Sequence, residues 1–202
     1  MRRRTPRAAT LARSTPESPA GQPRLRLRCV DFCDAFAYCA WAGKRLCGPV
    51  GAGGKGASVS ATYEEAVAIG KSTQSEWFNA CTQGGTTKYP YGDAFVQGRC
   101  IDRTAIQADA KAFDVTDLTD NACHGATPPY DEVYDLMGSV REWHNVCYTP
   151  KSGGASCTAS GSGAEEPADQ DKDCAATTNF PSVRAIYSFR GIRCCADAVA
   201  SE

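Results

Sequence analysis

At 202 residues and 42% hydrophobic content, the chain fits one globular domain with a tail and can bury a real core. The net charge of −1 hides an asymmetry: residues 1–28 hold eight arginines and one glutamate, which leaves −8 on residues 29–202 and disfavours nucleic acid as a partner of the folded part. Twelve cysteines without a C-x-x-C pair, and only two histidines (His124 and His144), disfavour structural zinc and point to disulfides made in an extracytoplasmic compartment.

The Arg/Pro/Ser-rich stretch 1–28 reads as a disordered basic tail. Its Arg7 and Arg13 bracket only Ala8 to Leu11, too short an apolar run for the leader that export requires, and no segment approaches the length of a membrane span. The folded domain is expected over 29–197, with a short tail at 198–202. From Asp31, Phe32, Phe36, Cys39 and Ala40 recur at helical spacing and Gly43 stops the run, with Lys44 and Arg45 placed to favour the helix C-terminus. Gly48 to Ser60 is glycine-rich and is expected to be an exposed loop. Thr62 with Glu65, and Thr73 with Glu76, have the form of capping boxes before two short apolar helices. Lys88 to Gly92 is a turn-bounded aromatic segment. Residues 94–132 are irregular with Cys100 and Cys123 as clips, Ser152 to Asp173 has the composition of a mobile loop, and Tyr187 to Cys195 reads as a closing strand. The pattern is α+β with modest regular structure.

Four segments carry a more specific signal: Asp34 to Leu46 (DAFAYCAWAGKRL), Ser75 to Gly92 (SEWFNACTQGGTTKYPYG), Val133 to Trp143 (VYDLMGSVREW) and Arg190 to Asp197 (RGIRCCAD). In this order they resemble the formylglycine-generating enzyme, or sulfatase-modifying factor, domain, a family related to the non-haem iron sulfoxide synthases. The resemblance covers roughly Cys29 to Asp197. It implies a C-type-lectin-like variant fold, a surface insertion of about two dozen residues after Leu46, and the absence of the family's N-terminal portion.

The resemblance also implies staples: Cys39 with Cys194 and Cys81 with Cys174, each closing a long loop. Cys100 with Cys123 and Cys147 with Cys157 are plausible local pairs. The connectivity of Cys29, Cys33, Cys47 and Cys195 stays open, although the adjacent Cys194 and Cys195 are expected to reach different partners.

Oxidases of this family use two close thiols after a glycine-rich turn to bind copper, and soft thiolates suit Cu(I). Here that turn falls near Gly161-Ser162-Gly163, and Ala164 to Asp173 follows without a cysteine. Cys174-Ala175-Ala176 resembles the downstream structural element instead. Copper is therefore not expected, and no catalytic residue is assigned. The leading expectation is a non-catalytic, exported binding or cell-envelope module. An active oxidase using cysteines such as Cys157 and Cys174, and a calcium-dependent lectin-like domain, are the alternatives. A protein or glycan is the expected partner.

Calcium is the expected structural metal. The resemblance places the side chains of Asp135 and Glu142 and the carbonyls of Gly138 and Val140 around it, and hard oxygen donors on a tight turn suit that ion. Trp41, Trp77 and Trp143 are expected in the core, and His124 and His144 in structural rather than chemical roles.

Overall fold

The computed structural model describes residues 27–51, 58–60, 62–101, 123–163, 172–180 and 182–197. Its organising element is β3 (Arg141–Tyr148), in which all eight residues are buried. A strand turns successive side chains to opposite faces, so Trp143 and Cys147 join one apolar cluster with Phe32, Ala35, Cys39 and Leu46. Val146 and Tyr148 join another, with Ala66. Both faces are covered, and a charged residue on this strand needs an internal partner.

Helix α1 (Phe32–Trp41) supplies the first cover. Asp31 caps it by accepting the Asp34 N–H at 2.7 Å, and its period buries Phe32, Ala35 and Cys39. Gly43, at φ +70°, turns the chain out of the helix, and the Lys44 N–H closes onto the Cys39 carbonyl at 2.9 Å. Phe32 meets Trp143 edge-on with ring centroids 6.0 Å apart, while the Trp143 indole N–H donates to the Val30 carbonyl at 3.0 Å. Helix α2 (Tyr63–Gly70) begins with the full capping box of Thr62 and Glu65. It covers the opposite face through Ala66.

The sheet runs β2 (Ser58–Ser60), β3, β4 (Ser156–Ser160), β5 (Thr177–Phe180), with β6 (Arg190–Gly191) also on β3. Strands β2 and β6 lie parallel to β3, against Val146–Tyr148 and Arg141–Glu142 respectively, while β4 is antiparallel to it. A separate two-stranded ladder pairs β1 (Arg45–Leu46) with β7 (Cys194–Cys195), Arg45 opposite Cys195 and Leu46 opposite Cys194. The fold is α+β, with three short helices and long irregular connections among the described residues.

Five disulfides stitch these connections: Cys39–Cys194, Cys47–Cys195, Cys81–Cys174, Cys100–Cys123 and Cys147–Cys157. The adjacent Cys194 and Cys195 leave β7 on opposite sides and reach different partners, as the two-residue period of a strand requires. Cys29 and Cys33 are free and exposed.

Several details depart from the sequence reading. Trp77 and Trp143 are buried, but Trp41 is 79% exposed, because it lies two residues beyond the inward-facing Cys39 and the helical period carries it to the far side. Ala40 is likewise exposed and Phe36 only half-buried, Ala35 taking the inward position. Glu76 does not close a box with Thr73. Ser75 caps helix α3 (Glu76–Cys81), and the Glu76 carboxylate instead holds the Arg45 guanidinium and accepts the Gly48 N–H at 3.0 Å. Arg45 itself sits in β1 rather than at a helix end, its pKa raised chiefly by the bond to Glu76. The Gly48–Ser60 stretch yields β2, and Ser152 to Asp173 yields the fully buried β4, whose small side chains allow close packing between β3 and β5. Residues 52–57 and 164–171 of these stretches lie outside the described residues, as does 102–122 of the irregular segment 94–132. Tyr187 to Cys195 forms two short strands rather than one.

Candidate functional site

The turn between Val133 and β3 is shaped by backbone conformation. Asp135, Gly138 and Ser139 have φ of +60°, +78° and +61°. Gly138 is obligatory: a Cβ there would come within 2.3 Å of the Ile101 carbonyl. The Ser139 N–H donates to that carbonyl at 2.7 Å, and the Asp135 N–H to the Cys123 carbonyl at 2.8 Å. The Cys100–Cys123 disulfide therefore ties together the two segments against which the turn is formed.

Asp135, Val140 and Glu142 line a cavity of about 450 Å³. Arg193, Lys44 and Tyr38 line it too. Glu142 is 4% exposed, and every bond its carboxylate makes is to an internal donor. Arg193 grips it with two parallel N–H bonds, Nε to Oε2 at 2.6 Å and Nη2 to Oε1 at 2.8 Å, and Trp77 Nε1 donates to Oε2 at 2.8 Å. Arg193 Nη2 also donates to the Tyr134 carbonyl at 2.8 Å. Burial disfavours the guanidinium charge, yet the field and hydrogen bonds of Glu142, with Asp135 behind them, more than offset it, so the Arg193 pKa is raised. Such a bidentate, charge-assisted pair is the strong form of the interaction.

The resemblance grouped Asp135, Gly138, Val140 and Glu142; Asp135, Val140 and Glu142 line the cavity, while Gly138 shapes the turn against Ile101. Sequence reasoning missed Arg193 and Trp77. The available signal was a pair of arginines, Arg190 and Arg193, inside the segment Tyr187 to Cys195, with a glutamate on a buried strand that demands a cationic partner.

These groups do not fit a calcium ion as they stand. Glu142 Oε2 accepts from both Arg193 and Trp77 and Oε1 accepts from Arg193, so an ion bound to this carboxylate would face the guanidinium at close range. The Gly138 carbonyl already accepts the Val140 N–H at 2.7 Å.

The other chemical candidates are placed as follows. His144 is fully buried, its ring 5.5 Å from Trp77 and its Nδ1 3.5 Å from Ser160 Oγ, while Nε2 has no partner. Burial pushes its pKa down to about 3. The His124 ring is tilted against Tyr134 with centroids 4.9 Å apart, and its Nδ1 lies 2.7 Å from the Gly125 carbonyl. Cys157 and Cys174 are both bonded, to Cys147 and Cys81, so they present no thiol pair. Cys47, Glu76 and Cys195 cluster closely, but the two sulfurs form a disulfide and the carboxylate is held by Arg45. At the rim of the cavity Tyr38, 46% exposed, lies against Trp41 with centroids 5.8 Å apart.

No helix among the described residues is long and apolar enough to cross a membrane. None of the curated proteins matches the chain. The sulfatase-modifying factor enzyme 1-like domain family matches it over residues 4–198, and the chain belongs to that family.

Proposed function

We propose that the protein is a non-catalytic, exported member of its family, acting as a binding or cell-envelope module. The cysteine inventory carries this reading. All twelve cysteines lie among the described residues; ten are spent in five disulfides, and the two thiols, Cys29 and Cys33, lie at the start of α1 rather than beside Gly161 to Gly163. A Cu(I) centre for oxidation needs a close thiolate pair at the substrate. Five disulfides also favour an oxidising compartment. The test is incubation of the purified protein with Cu(I), oxygen and a cysteine-containing sulfatase-type peptide. No aldehyde is expected on the peptide. Aldehyde formation that disappears in a Cys29→Ser, Cys33→Ser double variant would make the protein an oxidase and assign its thiols.

The recognition surface we favour is the one formed by Tyr38, which lines the cavity with Lys44, and the solvent-exposed Trp41 that packs against it. Exposed aromatic faces beside polar groups suit a protein or glycan ligand. In a glycan and envelope-protein screen, Trp41→Ala is expected to weaken a hit at least tenfold. An unchanged affinity would move the binding surface elsewhere.

A further inference from the structure

We infer that Arg193 is the built-in cation of the Asp135–Glu142 site, so that the domain holds its acidic turn together without calcium. Two acidic side chains that line one cavity are held there most readily when a positive charge faces both, and Arg193 feels the field of Glu142 and of Asp135. An external dication supplies that charge in many tight turns, at the cost of dependence on its concentration. Here the charge comes from β7's flank. The β1–β7 ladder and the Cys39–Cys194 bridge fix the residue after Arg193, and the guanidinium reaches back to both oxygens of Glu142. Its second nitrogen also binds the Tyr134 carbonyl, one residue before Asp135, so a single side chain secures both ends of the turn. The planar fork suits this task, because it gives two oxygens and a carbonyl directed bonds from one group. Trp77 completes the coordination of Glu142 from α3.

A bound calcium would have to displace these bonds and sit beside a buried guanidinium. Two arrangements thus compete for one carboxylate, and removal of Arg193 exchanges the first for the second. The variant Arg193→Gln leaves Asp135, Glu142 and the carbonyls of the turn in place and removes the guanidinium that grips Glu142, with Lys44 still in the cavity lining. It becomes a calcium-binding protein, while the wild type is indifferent to the ion.

The experiment compares thermal melting of the full chain in chelator and in calcium chloride, with terbium luminescence excited through tryptophan as a second readout. Trp77 touches Glu142, so a lanthanide at the site is sensitised efficiently. The wild type is expected to shift by less than about 1 °C and to give no saturable terbium emission, because its site is filled. Arg193→Gln is expected to gain about 5–10 °C at calcium a hundredfold above its dissociation constant, with terbium emission that calcium competes away. Arg193→Lys guards against a variant that does not fold: a compact ammonium keeps the charge, and its melting should stay calcium-indifferent. A calcium-dependent rise in the wild type or in Arg193→Lys overturns the inference. So does a folded Arg193→Gln with the same melting curve in chelator and in calcium.

Discussion

The deepest consequence for stability lies at His144, whose imidazole is sealed between Trp77 and Ser160 and is kept neutral by burial, with a pKa of about 3. An unfolded histidine titrates near 6.5. The folded value is the lower one, so the unfolded chain binds the extra proton between these limits. The stabilisation is complete above about pH 6.5 and is lost as pH falls toward 3. Linkage gives a loss of about 2 kcal/mol between pH 7 and pH 5, reaching about 4 kcal/mol by pH 3. In urea titrations followed by tryptophan fluorescence, the midpoint should fall by roughly 1 M between pH 7 and pH 5 at an m-value of about 2 kcal/mol/M. His144→Leu fills similar space with no titrating group, and its midpoint should move much less over the same interval. Surface carboxylates are common to both proteins, so the difference between the two slopes isolates the imidazole. If His144→Leu loses as much stability as the wild type, a neutral buried imidazole is not the source of the slope and the assignment fails.

Two further outcomes follow from the geometry. Glu142→Ala strands a buried guanidinium and should cost about 3–5 kcal/mol by urea unfolding at pH 7, while the paired change Glu142→Leu with Arg193→Met should recover much of that loss; a cost for the paired change equal to the sum of the Glu142→Leu and Arg193→Met costs would show that the ion pair carries no coupling. Iodoacetamide applied without reductant should label Cys29 and Cys33 and no other cysteine, with peptide mapping as the readout; modification at Cys39, Cys81, Cys174 or Cys194 would break the disulfide pattern described.

Much of this architecture was legible because local rules and global packing agree. Asp31, Gly43 and the Thr62–Glu65 box act within a few residues of themselves, so α1 and α2 could be read directly. The segment order identified the family, and with it the long-range sulfur bridges. What escaped was decided by distant partners. Glu76 has the spacing of a cap but is drawn off by Arg45, a charge 31 residues away. Strand β4 looked like a loop because Ser156, Cys157, Thr158, Ala159 and Ser160 carry no large apolar side chain, and only its place between β3 and β5 explains why small residues suit it. Asp135 and Glu142 advertised a cation without saying which. The cation on the Glu142 carboxylate in this structure comes from 51 residues downstream, in Arg193.

The paired bridges at β7 also govern how the protein bears load. Tension applied at the two ends of the domain meets Cys39–Cys194 before it meets the sheet, and that bridge takes a sequence separation of 155 residues out of the line of force. Roughly 500 Å of contour, at about 3.3 Å per residue, is thereby withheld from extension. Cys47–Cys195, spanning 148 residues, stands directly behind it as a second stop. An oxidised domain pulled in a force clamp should therefore behave as a short, inextensible link, and added reductant should release the hidden length. A domain held in this way can sit in a stretched tether without surrendering its interior.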